Sequence, residues 1–371
     1  MAESTAKPPA KNSAKTSAKS RRGGRASKSG TKSPKLGMTE SGKRVTSYDV
    51  ARVAGVSQSA VSRCFKPGAS VSKKMRDKVM TVAKELGFQP NAIARSLITR
   101  RSNMVAVIIN NLTNLNYPEL LVQLSRRFDE RHVHVLLFTL EHESDVDKML
   151  DQVWQYQVDG VISAARLSEE QVSFFEERGV PLVFYNRSFQ DFPVSAICCN
   201  QEEGERLLVN KLHGAGHRNF AVISGPADSV VSNQRTQGAL NRLKELGVTK
   251  VPVEEGDYGY DSGRIAFRHL MSKRKPPDAI LCANDVMAIG CMDAARHEFG
   301  LKIPEDVSVV GFDGTSTGAW ASYRLTTIDQ PLEIMAEAAV NMLMERVENP
   351  ELPPEKRTFS GVFLEGESAQ L

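Results

Sequence analysis

Residues 46–63 decide how the N-terminal part of the chain folds, and they read TSYDVARVAGVSQSAVSR. Thr46, followed three residues later by Asp49, forms a capping-box pattern that begins a first helix. The sequence Ala54-Gly55-Val56 predicts a tight turn, and Ser57 is a typical N-cap for a second helix over residues 58–65. Two short helices joined by a glycine turn are typical of a helix-turn-helix.

A third helix is expected to support the first two, beginning after Ser72 and ending at Gly87. The spacing of apolar residues predicts which side chains face inward. They are Val50 and Val53 in the first helix, Val61 and Phe65 in the second, and Met75, Val79, Val82, Ala83 and Leu86 in the third. We therefore expect a small three-helix domain over residues 45–89.

Positive charge is concentrated at the N-terminus. Residues 1–44 hold 12 Lys/Arg and 2 Asp/Glu, residues 45–104 hold 11 and 3, and the remainder has a net charge of −14. A basic front on an acidic body indicates a polyanionic partner at one end only. Residues 1–44 contain almost no large apolar side chains, so we expect a disordered basic leader. Composition alone leaves open whether this leader is merely solvated or binds nucleic acid.

The exposed early face of the second helix has the chemistry to read DNA bases. Gln58, Ser59 and Arg63 are exposed if Val61 and Phe65 are buried. Gln can pair with adenine and Arg with guanine in the major groove. Residues better placed for the phosphate backbone are Tyr48, Ser62 and Ser72, with Lys73 and Lys74, and Ser57 is a further expected DNA contact. A solvated polar face is the alternative, and the basic surroundings favour DNA.

From Val105 onward, apolar runs alternate with helical stretches, which predicts a parallel sheet with helices on both faces. The predicted strands are Val105–Ile109, Val133–Leu140, Gly160–Ala164, Val180–Tyr185, Phe220–Ser224, Ala279–Cys282 and Val307–Val310. The predicted helices are Glu119–Glu130, Val146–Gln157, Glu202–His213, Asn233–Leu246 and Val286–Phe299. This part of the chain is long for one open sheet, so we expect two lobes.

Several classes of protein are disfavoured. The longest apolar runs are too short to span a bilayer, and no apolar segment of a signal peptide follows the basic N-terminus. The five cysteines form no CxxC pair, which disfavours zinc ribbons and disulfide scaffolds and favours a reducing cytoplasm. We expect neither a metal nor a cofactor. His132, His134 and His142 are the one histidine cluster. A metal there is conceivable, but a surface cluster is the favoured interpretation.

Four segments strongly resemble the lactose-repressor (LacI/GalR) family of bacterial transcription regulators: 45–51, 54–57, 61–63 and 90–97. The resemblance extends to about Glu365. It implies that residues 90–97 form a hinge helix that orders on DNA, with Asn91 and Arg95 as DNA contacts and Leu97 wedged into the minor groove. It also implies two Rossmann-like lobes similar to periplasmic sugar-binding proteins. The expected organisation is a leader (1–44), a helix-turn-helix domain (45–89), a hinge and linker (90–103) and an effector-binding and dimerisation domain (104–371).

Polar residues follow several predicted strands, and open parallel sheets bind ligands beyond the carboxyl ends of their strands. The resemblance places effector contacts at Asn186, Arg235, Tyr258, Asn284, Asp313 and Gln330, and position after a strand adds Asn111 and Arg187. Any one of these residues alone would be better interpreted as a loop cap. Their joint placement predicts a pocket suited to sugar hydroxyls, an apolar sugar face or an anion.

We therefore predict a sequence-specific transcriptional regulator, a repressor, whose operator affinity is controlled by a small molecule such as a sugar or sugar acid. It should bind a pseudopalindromic operator as a homodimer in the cytoplasm, at the nucleoid, and should not be an enzyme. One alternative is a small-molecule binding protein without a DNA role. Another is a serine hydrolase, suggested only by the G-x-S-x-G string over residues 314–318, which no Asp-then-His order follows.

Overall fold

The computed structural model describes residues 43–66, 68–90, 101–110, 115–140, 145–189 and 192–371. The chain divides between Asn91 and Ala92 into two compact units. This division lies inside the predicted hinge segment, 90–103. Nearly all of the predicted leader and most of the hinge lie outside the described residues.

The N-terminal unit contains three helices, α1 (Ser47–Ala54), α2 (Gln58–Cys64) and α3 (Lys73–Leu86). The turn between α1 and α2 requires a left-handed residue, and Gly55 supplies it with φ of 61°. At the start of α1, the Asp49 carboxylate accepts hydrogen bonds from the backbone N–H and the hydroxyl of Thr46, at 3.0 and 2.7 Å. Seven buried residues form the core: Val50, Ala51, Ala54, Val61, Cys64, Val79 and Ala83. The predicted helix-turn-helix and its supporting helix are confirmed.

The predicted inward face of α1 is wrong in one position. Val53 is 54% exposed, and Ala54 takes its place in the core beside Val50. Residues four apart on an α-helix point in more similar directions than residues three apart. Ala54 therefore lies on the buried side with Val50, whereas Val53 is turned away from it. Phe65 lies just after α2 rather than within it, and its ring packs edge-on against Phe88, with centroids 5.6 Å apart.

Lobe 1 of the C-terminal unit is built on a six-stranded sheet in which all neighbouring strands are parallel. Its strands are β1 (Met104–Asn110), β2 (His134–Leu140), β3 (Gly160–Ser163), β4 (Leu182–Tyr185), β5 (Ala196–Cys199) and, from much later in the chain, β11 (Lys356–Phe359). Their order is β11-β5-β4-β3-β1-β2. The connecting helices are α4 (Asn116–Asp129), α5 (Val146–Gln155) and α6 (Glu169–Glu177). The middle of β1 is apolar and buried on both faces, as is typical of a central parallel strand.

Lobe 2 is built on a smaller parallel sheet with the order β7-β6-β8-β9. Its strands are β6 (Phe220–Ser224), β7 (Val253–Glu255), β8 (Ala279–Cys282) and β9 (Ser308–Val310). Helices α8 (Val230–Glu245), α9 (Tyr260–Met271) and α10 (Asp285–His297) connect these strands. Both sheets thus have their strand carboxyl ends free to carry polar loops.

The chain passes from lobe 1 to lobe 2 through α7 (Gln201–Gly214) and returns through β10 (Thr327–Asp329) and α11 (Leu332–Glu348). It then leaves β11 for β12 (Val362–Leu364), which pairs antiparallel with β10. One apolar cluster contains residues of both sheets, among them Val107 of β1 and Val222 of β6. The two lobes are therefore packed together around their crossing segments.

All seven predicted strands and five predicted helices of the C-terminal unit are present, with boundaries that differ by up to three residues. The predicted two-lobed architecture is confirmed. The list of predicted elements omitted α6, α9, α11 and the short strands β5, β7, β10, β11 and β12. Among the described residues, no helix is both long and apolar enough to cross a membrane.

Candidate functional site

The exposed face of α2 presents the side chains that were predicted to read DNA. Ala60, Val61 and Cys64 are buried, which turns Ser59, Ser62 and Arg63 outward into solvent. Gln58 is half-buried and its side-chain amide donates a hydrogen bond of 3.3 Å to the Ser47 hydroxyl of α1. This bond holds Gln58 at the junction of the two helices and leaves its carbonyl oxygen available.

Two of the predicted DNA contacts, Ser57 and Ser72, have a structural role as well. The Ser57 hydroxyl accepts a hydrogen bond from the backbone of Ala60, and the Ser72 hydroxyl accepts one from Met75, so both residues cap helices. Tyr48 is 71% exposed, so its side chain is accessible to a phosphate. The three remaining predicted DNA contacts, Asn91, Arg95 and Leu97, lie outside the described residues.

Sequence reasoning missed the residue that fixes the loop after α2. The guanidinium of Arg76 on α3 donates hydrogen bonds to the carbonyls of Cys64, at 2.8 Å, and Ala69, at 3.2 Å. These carbonyls belong to the end of α2 and the following loop. Arg76 therefore holds the C-terminal end of α2 in place.

A cavity of about 260 Å³ lies between the two lobes. Its walls come from residues that follow the carboxyl ends of β1, β3 and β4 in lobe 1 and of β6, β7 and β9 in lobe 2. Of the predicted effector contacts, those that line it are Asn186, Arg187, Arg235, Tyr258, Asp313 and Gln330. Asn111 lies outside the described residues. The cavity thus occupies the position where open parallel sheets bind ligands.

Five side chains beside the cavity form a closed ring of hydrogen bonds. Asn186 donates to Gln330 at 2.7 Å, Gln330 donates to Asp313 at 2.8 Å, and Arg235 donates to the same Asp313 oxygen at 2.8 Å. Arg235 also donates to Gln201 at 2.7 Å, and Gln201 donates back to Asn186 at 3.4 Å. Asn186 belongs to lobe 1, Arg235 and Asp313 to lobe 2, and the two glutamines lie on segments that cross between them. The ring therefore couples the lobes.

The Arg235–Asp313 ion pair at the base of the cavity is almost completely buried. Each residue is 3% exposed. The Arg235 guanidinium also donates to the carbonyl of Ala283 and lies 3.8 Å from the ring centroid of Phe312. Burial raises the pKa of the Asp313 carboxyl, and the adjacent Arg235 opposes that rise. A hydrated position in an open cleft would be the expectation from the sequence, and that expectation is wrong.

Three cavity residues have the left-handed backbone conformation that side chains other than glycine rarely adopt. The φ angles are 52° at Asn186, 68° at Tyr258 and 120° at Asp313. Such residues cost free energy and are concentrated at sites where a side chain must point in a particular direction. Gly225 leaves room for the Tyr258 ring, since a Cβ at residue 225 would lie 2.5 Å from Cζ of Tyr258. The backbone is therefore built to aim these side chains at the cavity.

Asn284 does not line the cavity, contrary to prediction. It is fully buried, its side-chain oxygen accepts a hydrogen bond from Met287 and its amide donates to the carbonyl of Tyr258 at 3.0 Å. It caps α10 and fixes the backbone of a residue that does line the cavity. The position after a strand is correct, but the helix that begins there uses the side chain.

Several other residues that line the cavity were not predicted, because no motif near them in the sequence indicates a ligand site. Six of them are Asn116, Tyr117, Arg166, Tyr185, Asp228 and Ser229. Burial raises the pKa of Tyr117 and strongly raises that of Tyr185, so both phenols remain protonated hydrogen-bond donors. Ser229 holds the Tyr258 hydroxyl at 2.8 Å. The alternation of strand and helix predicted where the cavity would lie, but not which helix starts face into it.

The G-x-S-x-G segment, 314–318, is a loop tied down by a buried carboxyl. Asp285 accepts hydrogen bonds from the backbone and hydroxyl of Thr315 and from the hydroxyl of Thr327. Burial raises the pKa of Asp285 to about 7. Ser316 is exposed, and its backbone N–H donates to Glu119 of lobe 1 at 3.1 Å. The segment thus meets the opposite lobe and is not a strand-to-helix elbow.

A second serine has the hydrogen-bond order of a hydrolase triad. His217 lies 3.2 Å from Asp278 and 3.1 Å from the Ser308 hydroxyl. Ser308 is fully buried, and its oxygen accepts a hydrogen bond from the backbone of Gln370. No substrate carbonyl can reach this hydroxyl, so the chain of bonds ties β8 and β9 to the C-terminal segment. Within the described part of the chain, no cluster of His, Cys, Asp and Glu has the composition to hold a metal.

A helix-turn-helix unit followed in one chain by a two-lobed unit with a polar cavity defines a DNA-binding regulator with a ligand site. Residues 46–91 match the model for bacterial regulatory proteins of the lacI family, and residues 209–369 match the model for a periplasmic binding protein-like domain. The chain belongs to the lacI family of bacterial regulatory proteins.

The match to known proteins extends over most of the chain. The catabolite control protein A of Priestia megaterium is 31% identical over 304 residues, which cover 81% of this chain and 91% of that protein. A lac repressor dimer bound to operator and the anti-inducer ONPF has a TM-score of 0.82, with 28% identity over 89% of this chain and all of that one. A complex of the transcriptional regulator CelR with cellobiose has a TM-score of 0.68, with 28% identity over 88% of this chain and all of that one.

Proposed function

We propose that the protein is a transcriptional repressor that binds a pseudopalindromic operator as a homodimer in the cytoplasm, at the nucleoid. A small hydroxylated molecule, a sugar or a sugar acid, would control its operator affinity. The observation that carries the proposal is the hydrogen-bonded ring of Asn186, Gln330, Asp313, Arg235 and Gln201, which borders the cavity and joins both lobes. The lac repressor dimer on its operator and the CelR complex with cellobiose support the dimer and the class of ligand.

DNA readout belongs to the exposed face of α2. Gln58, Ser59 and Arg63 would contact base edges, because the early residues of the second helix enter the major groove. Tyr48 and Ser62 would contact phosphates. Ser57 and Ser72 accept hydrogen bonds as helix caps, so their hydroxyl protons would be available to donate to phosphate oxygens. The hinge roles of Asn91, Arg95 and Leu97 remain predictions.

The ring provides the mechanism of control. A ligand that binds Asp313 and Asn186 contacts both lobes, so its affinity depends on how the lobes are oriented. A ligand can shift an equilibrium only by its difference in affinity for the two orientations. Because the hinge segment leads directly into β1 of lobe 1, lobe orientation would set the spacing of the two hinge segments in a dimer. Operator binding and ligand binding would then be coupled.

Selection of bound DNA from a random double-stranded library tests the proposal. The full chain should enrich an inverted repeat, and a ligand found by a thermal-shift screen of sugars and sugar acids should change its affinity for that repeat. Arg63→Ala should relax the enrichment at one base pair of each half-site while leaving the thermal shift intact. Enrichment of sequences without two-fold symmetry, or a ligand with no effect on DNA affinity, would contradict the proposal.

A further inference from the structure

The charged side chains that line the cavity differ in burial and in whether they form ion pairs. Asp313 and Arg235 neutralise each other at the base through their 2.8 Å contact. Arg187, which follows β4, is half-buried and also lines the cavity. Its guanidinium donates to the carbonyl of Asn186 at 2.9 Å. Among the described residues, no carboxylate forms an ion pair with Arg187.

The carboxylates that could balance Arg187 lie at the mouth of the cavity. Asp228 and Asp257 are both exposed to solvent on lobe 2, and Asp257 accepts a hydrogen bond of 2.7 Å from the backbone of Gly259. Arg166 is likewise exposed, on the lobe 1 side of the mouth. Exposed charges are screened by water and salt, whereas a half-buried guanidinium is screened much less. Within the described ranges of the chain, the inner part of the cavity therefore has one guanidinium that no carboxylate pairs with.

The neighbours of Arg187 suit an anionic oxygen. Tyr117 is beside it, and burial raises the pKa of Tyr117, so its hydroxyl stays a donor at neutral pH. A guanidinium has five N–H donors in a planar fork that matches carboxylate and phosphate oxygens. Within the described residues Arg187 hydrogen-bonds the Asn186 carbonyl and the Tyr117 hydroxyl, so donors remain for a ligand. Arg187 and Tyr117 together therefore offer N–H and O–H donors, one of them charged, at this end of the cavity.

We propose that the ligand of the cavity carries an anionic group, a carboxylate or a phosphate ester, which Arg187 binds, while its hydroxyls bind Asp313, Asn186 and Gln330. The proposal rests on the proposed function, because it takes the cavity as the effector site. A volume of about 260 Å³ is below the roughly 300–1,000 Å³ of cavities for drug-sized ligands, which favours one sugar ring over two. The ligand class is thus an acidic or phosphorylated monosaccharide.

The test uses the full chain and a panel of monosaccharides in matched forms: the neutral sugar, its uronate or aldonate, and its phosphate ester. Thermal shift finds the binding members, and calorimetry measures their Kd. Arg187→Gln should weaken binding of the anionic member roughly tenfold to a hundredfold, since the bond is charge-assisted, and Arg187→Lys should recover part of the loss. Arg274→Gln, at an exposed arginine that does not line the cavity, is the matched control and should change Kd little.

The outcomes distinguish the claim that Arg187 binds an anionic ligand from the proposed regulatory function. Binding of a uronate but not the phosphate ester identifies a carboxylate as the anionic group, and the reverse identifies a phosphate. Inorganic phosphate alone controls for anions held by the basic N-terminal unit. Tight binding of a neutral sugar with an unchanged Kd in Arg187→Gln, or no binding by any anionic member, would overturn the inference. Arg187-dependent binding without any change in operator affinity would support it and contradict the proposed function instead.

Discussion

Replacing Asp313 with Asn should destabilise the C-terminal unit strongly, because it leaves the buried Arg235 without a counter-charge. Both residues are 3% exposed, and their contact is 2.8 Å. Breaking a buried ion pair by removing one partner costs about 3–5 kcal/mol. We therefore expect Asp313→Asn and Arg235→Gln each to lower the free energy of unfolding by that amount, measured by urea denaturation followed by circular dichroism.

The double variant and an exposed pair provide the controls. Asp313→Asn combined with Arg235→Gln should lose clearly less than the sum of the two single variants, since no unpaired charge is left in the core. Arg206 and Glu245 form an ion pair of the same length, 2.8 Å, at the surface. Glu245→Gln should change stability far less than Asp313→Asn. Equal effects at the two sites, or strict additivity in the double variant, would refute the account of the cavity base.

Three further predictions concern the DNA-binding residues and a buried carboxyl. Arg63→Ala should weaken operator binding by about 1–3 kcal/mol and relax preference at one base pair per half-site; fluorescence anisotropy would contradict this if random DNA were weakened equally. Leu97→Ala should reduce operator affinity and the bend of the operator, and an unchanged bend by fluorescence transfer would exclude a wedge. Glu205 of α7 is buried with one carboxylate oxygen unpartnered, and burial raises its pKa from 4.5 to about 8. Because the native state then holds a proton that the unfolded state has lost, stability should fall as pH rises from 4.5 to 8. Relative to the wild type, Glu205→Gln should gain stability over that range, by on the order of 4 kcal/mol. A pH-independent difference in urea melts would contradict this.

Local chemistry made part of the fold predictable. Ser57 and Ser72 cap α2 and α3 as expected, because a hydroxyl just before a helix lies within reach of the unpaired N–H groups of the first turn. Gly87 ends α3 with φ of 65° for a similarly local reason. The apolar runs predicted the strands because the strands of a parallel sheet covered by helices are buried on both faces.

What could not be predicted depends on contacts between distant parts of the chain. Gln201 has no local signal, yet it closes the ring because α7 crosses between the lobes. Tyr117 lines the cavity only because α4 begins at its edge. Asn284 is a different case. It follows a strand as predicted, but its side chain caps α10 instead of lining the cavity. Strand-end position therefore predicts the neighbourhood of a ligand site better than its members.

The central claim is that the cavity and the DNA-reading face of α2 are coupled within one molecule. Calorimetric titration of a cavity ligand into the full chain, with and without saturating operator DNA, tests it most directly. Linkage requires the operator to change the Kd of the ligand by the same factor as the ligand changes the Kd of the operator. We expect equal factors of about 5–150, the usual range of allosteric coupling. Ligand affinities that are identical with and without operator would contradict the account.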